Sequence, residues 1–558
     1  MKPPPIREHL HDAAIKIKTR LTSLSSWELP KQESSVAPPY VWSNADQDPV
    51  PPEKQTWTGW SFTWYWFSDL VTAAGWSAAA SVVATGLSAS DAILVTFVAA
   101  LCNAIPTVLN GTIGVDLHVP FPIAIRASYG YWLSYFTVVT RGILALFWFG
   151  VQSVYGGQCI TGMLTAIWPS YATIPNRLPD SAGTTTQGMV SYFLYWSLQL
   201  PFMLIPTHKL QYMFWAKTVL VTPTALAMVI WIAVTAGGGG DFFNQPAKVS
   251  GSQRAWLWLS SMTSITGGFS TLAVNISDFS RFSKTRTAHY WQLPMIPFFK
   301  CIVGVFGVVS ASAAVQLYGE ALWSPLDIIE KWQGSPGGRA AAFFASAVWC
   351  LAQICVNVSA NSVSFGNDIT TIAPRWFNLK RGVIFAAVNG GWALCPWIIV
   401  ESADALLSFM SAYACFLAPI AGILFSDYWI VKKRRYDVPA LYDPKGIYSY
   451  WHGINWRALL TTIVVVGPLI PGMANKISSS VNIGTGLERL FSFNWLYGFV
   501  LSIVMYVSLH WAFPDAATSI PSVIHGLRQD TDSERQSFQC DGKMTVEASR
   551  VREIDDSG

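Results

Sequence analysis

The stretch AAAFFASAVWCLAQICVNVSANSVS, residues Ala340–Ser364, decides the fold class of this chain. It carries no charged residue and exceeds the ~20 residues that a helix needs to cross a bilayer. Gln353, Asn357 and Asn361 recur at every fourth position, which predicts three amides on one helix face. Unpartnered amides are costly in hydrocarbon, so this face must meet other helices or a water-filled cavity. The stretch therefore predicts a membrane protein with a small-molecule site.

A second apolar run, Leu133–Tyr155, carries Trp148 and Gln152 one helical turn apart. An aromatic face beside convergent amides suits a flat, neutral solute that forms hydrogen bonds. The pair could also serve packing alone, since the chain has 27 tryptophans, but the spacing of the two side chains favours a binding role.

The composition agrees with a membrane protein. The chain has 558 residues, of which 52% are hydrophobic and 12% charged, against about 25% charged in an average soluble domain. Most of the eight cysteines lie in apolar runs and the eight histidines are scattered, so we expect no disulfide framework, metal site, cofactor or enzyme active site. The net charge of +4 gives no reason to expect a nucleic-acid partner, and the N-terminus shows no cleavable signal peptide.

The apolar runs predict an all-α polytopic protein with about twelve spans. They lie near residues 60–86, 90–113, 131–157, 189–206, 212–236, 256–277, 291–317, 340–364, 381–400, 405–430, 456–474 and 494–513. With both termini in the cytoplasm, 25 Lys and Arg residues fall on the cytoplasmic side and 7 on the other. The positive-inside rule favours this orientation, which predicts a multi-pass membrane protein with cytoplasmic termini.

Spans one to five and six to ten are offset by roughly 190–210 residues, pair by pair, as in the inverted repeats of secondary transporters. Each half carries a glycine-containing weak point in its first span, Ala73–Gly75 and Thr266–Gly268. Glycine weakens a helix, so we expect both points to be unwound. The alternative is that these glycines only permit close helix packing.

Four regions follow from these patterns. Residues 1–56 form a mostly disordered cytoplasmic tail, in which Asn44–Pro49 is specific enough to dock somewhere. Residues 57–430 form a ten-helix transport core, and 431–514 form a cytoplasmic loop with two peripheral helices. Residues 515–558 form a disordered cytoplasmic tail.

Seven short motifs in a fixed order carry a family resemblance. They are NADQDPVPPEKQTW (Asn44–Trp57), FPIAIRASYGYW (Phe121–Trp132), FWFGVQSVYGGQC (Phe147–Cys159), NISDFSRF (Asn275–Phe282), NVSANSVSFGNDITTIAPRW (Asn357–Trp376), SDYWIVKKRRYDV (Ser426–Val438) and GIYSYWHGINWRA (Gly446–Ala458). The chain resembles the nucleobase–cation symporters, in the fungal uracil, uridine and allantoin permease branch. The resemblance covers about Asn44 to Pro514.

The resemblance implies that a planar heterocycle is held between aromatic residues of spans three and six. On this chain it implies binding roles for Trp148, Gln152, Phe269, Asn357 and Asn361. Phe269 enters through the resemblance alone. The function that the resemblance implies is import of uracil, uridine, allantoin or a related compound across the plasma membrane.

Two comparisons with other members of the family that the chain resembles refine this expectation. The residues before Asn357 are Cys355 and Val356, which are poor ligands for the hard sodium ion, so we expect proton coupling. The resemblance further implies that thiamine and nicotinamide-riboside transporters lack the Trp148–Gln152 pair and the span-eight asparagines. A transporter of that type, or a nutrient receptor with a transporter fold, remains the alternative.

Ionisable residues inside spans are functional candidates. Asp69 could be protonated during the cycle or paired with a basic residue from another helix, and Asp278 could form a local salt bridge with Arg281 or an inner gate. Gate partners or backbone anchors are expected at three basic positions, Arg126, Arg141 and Lys300. Snorkelling towards the interface explains Lys300 equally well.

Overall fold

The computed structural model describes residues 24–238, 244, 246–400, 403–478 and 480–526. Within these ranges the regular elements are helices, and the β pairings are three isolated bridges. The α-helices of eight or more residues are α1 (Gly59–Leu70), α2 (Ala73–Ala84), α3 (Ala89–Leu117), α4 (Ser134–Ile167), α5 (Thr186–Gln199), α6 (Leu210–Thr235), α7 (Gly251–Asn275), α8 (Gln292–Tyr318), α9 (Pro336–Val356), α10 (Ser364–Ile372), α11 (Leu379–Val388), α12 (Ala403–Phe425), α13 (Trp456–Val466), α14 (Ile470–Ile477), α15 (Thr485–Ser492) and α16 (Asn494–Ala512).

Shorter α-helices lie at Phe121–Ala124, Arg126–Tyr129, Ser277–Ser280, Pro325–Glu330 and Val438–Tyr442. Three π-helical turns follow longer helices, at Asn357–Val363, Asn389–Ala393 and Ser426–Val431. The first of these joins α9 to α10 and contains both predicted binding asparagines.

The prediction of an all-α membrane protein is confirmed, but the number of twelve spans is not. Eight described helical segments are long and apolar enough to cross a membrane, and the bent pair α1 and α2 makes nine. The other three predicted positions hold α5, α7 and α11. Helices α5 and α11 have 14 and 10 residues, and α7 has 25 residues but is rich in serine, threonine and glycine.

The helix packing is reciprocal between the two halves, as an inverted repeat requires. The first-half helices α1 and α2 pack on α8, while α7, which opens the second half, packs on α3. Likewise α1 contacts α6 and α7 contacts α12, so the first and last members of each half meet. The central pairs α3 with α8 and α4 with α9 join equivalent members. Helix α16 then packs against α12 from outside this core.

The two predicted weak points behave differently. Between α1 and α2 the chain bends by 57° at Val71 and Thr72, just before the predicted Ala73–Gly75. Helix α7 instead runs unbroken through Thr266–Gly268, so the prediction of unwinding there is wrong. A Cβ at Gly267 would overlap the Met410 carbonyl of α12. Gly267 therefore permits close helix packing, and the backbone of α7 stays hydrogen-bonded.

The tail motif at Asn44–Pro49 docks on the core, as its specificity predicted. The Arg281 guanidinium donates to the Asp46 carbonyl (3.0 Å), and the Tyr442 hydroxyl donates to the Gln47 carbonyl (2.7 Å). The Gln47 side chain accepts from the Thr371 hydroxyl at 2.8 Å. The tail predictions for residues 1–23 and 527–558 lie outside the described residues, whereas Ile524 pairs with the loop at Asp437.

Candidate functional site

Trp148 lies on α4 with 8% of its surface exposed and is held by a hydrogen-bonded chain. Its Nε1 donates to the Tyr413 hydroxyl of α12 at 2.9 Å, and that hydroxyl donates to the Gly267 carbonyl of α7 at 2.9 Å. Among the described residues no direct ring contact joins Trp148 to Phe269, and Phe409 packs against Trp148 at 6.0 Å between ring centroids. The chain through Tyr413 therefore connects the Trp148 ring to the turn of α7 that bears Phe269.

Tyr413 is a residue that the sequence reasoning missed. It lies in the last span of the core, in the run FMSAYACF, where neither spacing nor a motif marks it. A tyrosine within an apolar span is the signal that could have found it, because a buried tyrosine hydroxyl generally has a partner.

The amide cluster forms between α4, α5 and the π-turn. Asn357 Nδ2 lies 3.0–3.1 Å from the Phe149 carbonyl, the Ser153 hydroxyl and the Gln199 side-chain oxygen. Its Oδ1 accepts from Asn361 Nδ2 at 2.9 Å. With these contacts, Asn357 ties three segments together, whereas Asn361 has fewer protein bonds and is 6% exposed.

Two further amides have unused hydrogen-bonding capacity. Gln152 is buried on α4, and its Oε1 has no hydrogen-bond partner among the described residues. Gln353 is buried, and neither of its amide atoms has such a partner. Because buried polar atoms are normally bonded, unfilled capacity beside Trp148 and Asn361 is what a polar solute would satisfy.

The sequence predicted that Gln353, Asn357 and Asn361 share one helix face, and the π-turn changes this arrangement. Hydrogen bonds from i to i+5 widen the helix at Asn357–Val363, and such π-bulges occur often at functional sites. Asn357 and Asn361 still contact each other directly, but Gln353, one turn earlier on α9, forms no bond with either.

Phe269 is half-buried and lies beside a basic side chain. The Lys300 ammonium of α8 is 4.8 Å from the Phe269 ring centroid and donates to the Ile265 carbonyl at 3.0 Å. Both residues line a small cavity at the break between α1 and α2, together with Leu70, Gly75 and Met410. Lys300 therefore points into the protein, and the snorkelling alternative is wrong.

Asp69 occupies the end of α1 just before the break. Its Oδ1 accepts from the Ser359 hydroxyl of the π-turn at 2.9 Å. The Lys217 ammonium of α6 is buried nearby, acts on this carboxylate through space, and donates to the Ser68 carbonyl. Asp69 thus lies near a basic residue of another helix, but no ion pair joins the two within the described chain, so the predicted pairing is not formed.

The remaining ionisable candidates hold backbone segments in place. Asp278 accepts from the Phe121 backbone N–H and from Asn275 Nδ2, both at 3.0 Å. No ion pair joins it to Arg281 within the described chain, so the predicted local salt bridge is not formed. Arg126 donates to the Leu441 carbonyl at 2.9 Å and stacks on the Tyr131 ring.

Arg141 lies in the same region and pairs with a carboxylate. Its guanidinium forms a buried ion pair with Asp368 of α10 and donates to the Ser364 carbonyl at 2.6 Å. Asn275 of α7 also donates to the Ser364 hydroxyl at 3.0 Å, so bonds join α4, α7 and α10 at this end of the core.

Comparison with known proteins agrees with this architecture. Residues 49–498 match the family model described as "Permease for cytosine/purines, uracil, thiamine, allantoin". The chain belongs to this permease family. Its members are transporters of small heterocycles, so the chain is a multi-pass membrane transporter.

Relatives of this permease span nearly the same length. An uncharacterized permease of Schizosaccharomyces pombe is 33% identical over 519 residues, covering 93% of this chain and 91% of the relative. The uracil permease of Saccharomyces cerevisiae is 32% identical, covering 86% and 78%. The allantoin permease of the same yeast is 30% identical, covering 90% and 83%.

Among solved structures the permease is similar to Mhp1, described as a nucleobase-cation-symport-1 family transporter in a closed conformation with bromovinylhydantoin bound. The TM-score is 0.67 at 21% identity, with 85% of this chain and 98% of Mhp1 covered. At this identity the likeness establishes the fold.

Proposed function

We propose that this permease imports a small planar oxo-heterocycle of the uracil, uridine or allantoin class, in symport with a proton. The observation that carries the proposal is the hydrogen-bonded chain Trp148–Tyr413–Gly267, together with the unpartnered Oε1 of Gln152 and the Asn361 amide that donates to Asn357. It presents a fixed aromatic ring and hydrogen-bonding groups within one buried region. Flat rings edged with carbonyl and N–H groups match such a surface.

In this proposal Trp148 and Phe269 contact the faces of the ring, while Gln152 and Asn361 bond to its edge. Asn357 positions Asn361 through the bond between their side chains and is itself fixed by α4 and α5. Solute binding then favours closure through contacts made in one conformation and not in another.

Proton coupling is supported by what surrounds the break in α1. In transporters with broken helices, carbonyls at the C-terminal end of a half-helix help to hold sodium. Here the Lys217 ammonium donates to the Ser68 carbonyl at that position, and Cys355 is the neighbouring side chain on α9. A resident ammonium beside the Asp69 carboxylate disfavours a second cation and leaves Asp69 as the candidate proton carrier.

A thiamine-type solute is disfavoured by Lys300. Thiamine carries a positive charge, and the Lys300 ammonium lies 4.8 Å from the centre of the ring proposed to stack on the solute. Like charges held together in a buried site repel each other strongly. The oxo-heterocycle class has no such conflict.

Localisation follows the distribution of cations. Both termini are placed in the cytoplasm and the protein in the plasma membrane, with import as the direction of flux. Cysteine-accessibility labelling at single sites in residues 24–56 and 480–484 of intact cells would test this orientation.

The deciding experiment is uptake of radiolabelled uracil into vesicles containing the purified protein, with a panel of unlabelled heterocycles as competitors. We expect uptake that uracil-like or allantoin-like compounds inhibit and thiamine does not. Binding of labelled uracil without accumulation inside the vesicles would favour the receptor alternative and contradict transport.

A further inference from the structure

Lys300 carries a charge that the described structure does not balance. It lies on α8 with 7% of its surface exposed, and its ammonium contacts the Ile265 carbonyl and the face of the Phe269 ring. None of the ion pairs in the described part of the chain involves it. A buried ammonium without a carboxylate is costly, so its retention beside Phe269 calls for a functional explanation.

Backbone anchoring alone does not account for this side chain. One N–H group bonds to the Ile265 carbonyl, while a lysine ammonium has three donors. The remaining donors lie at the cavity that Lys300 shares with Phe269 and the broken end of α1. A ligand oxygen in that cavity would find an N–H donor and a positive charge together.

A second, wider cavity opens between α2, α7, α12 and α14, and its lining residues Ser264 and Ser411 directly neighbour Ile265 and Met410 in the sequence. The residues described along its lining include no acidic side chain. Six hydroxyl residues line it, Thr85, Ser260, Ser261, Ser264, Ser408 and Ser411, and its charged lining residue is Lys476.

Met410 lies between the two cavities. Met410 lines the small cavity beside Lys300, here called the inner cavity, and its methyl group packs against Gly268. Its neighbour Ser411 lines the wider, serine-lined cavity, here called the outer cavity. A solute entering through the serine-lined cavity would therefore pass Lys476, displace Met410 and meet Lys300. Both charged groups on this route are positive.

We propose that Lys300 makes the site selective for anionic oxo-heterocycles, in which a ring proton has been lost and the charge is spread over the ring oxygens. This inference rests on the proposed function, because it assigns the ionisation state of the solute in that same site. The anionic oxygen accepts a hydrogen bond from the Lys300 ammonium while the ring contacts Phe269. A neutral ring of the same shape leaves the ammonium uncompensated.

The test compares two pyrimidines of nearly equal size at one fixed pH: barbiturate, which is ionised in neutral solution, and uracil, which is neutral. Binding of each is measured by calorimetry on the purified protein in lipid nanodiscs. A charge-assisted hydrogen bond corresponds to about tenfold or more in affinity. We expect barbiturate to bind about tenfold or more tightly than uracil, and Lys300→Met to remove that difference.

Two variants serve as controls. Lys300→Arg keeps the charge and should keep the preference for barbiturate. Lys476→Gln removes the exposed cation of the outer cavity and should leave the preference within about threefold of the parent, because screened surface charges contribute little.

The outcomes separate the possible roles. Equal losses for both pyrimidines in Lys300→Met would show that Lys300 only positions Phe269 and α7, and would overturn the proposal. A parent protein that binds uracil as tightly as barbiturate would also overturn it, while leaving the proposed function standing. Failure of both pyrimidines to bind the folded parent protein would instead contradict the proposed function itself.

Discussion

Tyr413→Phe tests whether the site depends on the hydrogen-bonded chain that holds Trp148. The substitution removes the hydroxyl that accepts from Trp148 Nε1 and donates to the Gly267 carbonyl. That carbonyl keeps a second donor, the Ser270 hydroxyl at 2.8 Å, so α7 is not left with an unbonded group. The ring of residue 413 and its contact with Phe409 at 5.1 Å are retained.

The cost falls on the conformation of Trp148. A hydrogen bond contributes about 0.5–1.5 kcal/mol net, so losing the bond to Nε1 lowers the equilibrium constant for the observed Trp148 conformation by roughly fivefold. If solute binds only to that conformation, its apparent affinity falls by at most this factor. We therefore expect the inhibition constant of unlabelled solute to rise by up to roughly fivefold with a normal amount of protein at the surface.

The assay is inhibition of labelled-uracil uptake, with surface biotinylation on the same cells. A double-mutant cycle with Trp148→Phe isolates the bond, because Trp148→Phe removes the N–H that Tyr413 accepts. Residues in direct contact couple by about 0.5–3 kcal/mol, so the double variant should be less impaired than the two single effects predict together.

Tyr497→Phe on α16 is the matched control and should leave the inhibition constant unchanged. Additive effects of Tyr413→Phe and Trp148→Phe, or an unchanged inhibition constant in Tyr413→Phe, would refute the view that the hydrogen bonds through Tyr413 position Trp148 for the solute.

Three further predictions follow. Asn361→Ala should weaken the affinity roughly five- to a hundred-fold with normal surface expression, because an unmade hydrogen bond costs roughly 1–3 kcal/mol. Asn357→Ala should instead lower the amount of protein at the surface, because it disconnects α4, α5 and the π-turn. Inhibition constants and biotinylation on the same cells distinguish the two, and equal behaviour of the variants would contradict the division of roles. Gly267→Ala should prevent normal assembly because its Cβ would overlap the Met410 backbone, while Gly486→Ala has open space around it and should be neutral. Thermal unfolding of the detergent-solubilised variants measures both effects. A stable Gly267→Ala protein would show that α7 and α12 can separate there. Uptake should increase as external pH falls and should not change when choline replaces sodium at constant pH. A collapse of uptake in choline would establish sodium as the coupling ion.

The sequence by itself determined the class of the protein and most positions of its helices. Uncharged apolar runs of about 20 residues have no stable alternative to a helix in a bilayer, because every backbone group must bond within its own segment. The same argument made the amides of Asn357 and Asn361 conspicuous, since a polar group in such a run needs a partner. The docking of Asn44–Pro49 was also visible, through its unusual density of specific polar residues.

Only the tertiary structure decided what those residues contact. Periodicity places side chains on a face of a regular helix, but it does not reveal a π-turn or name the opposite partner. Asn357 bonds to Gln199, 158 residues earlier, and Trp148 bonds to Tyr413, 265 residues later. The unbroken course of α7 likewise depends on the Met410 backbone packed against Gly267. Lys300 was visible as a charge in an apolar run, but its position beside Phe269 comes from the packing of α8 against α2 and α3, a long-range arrangement that no local pattern encodes.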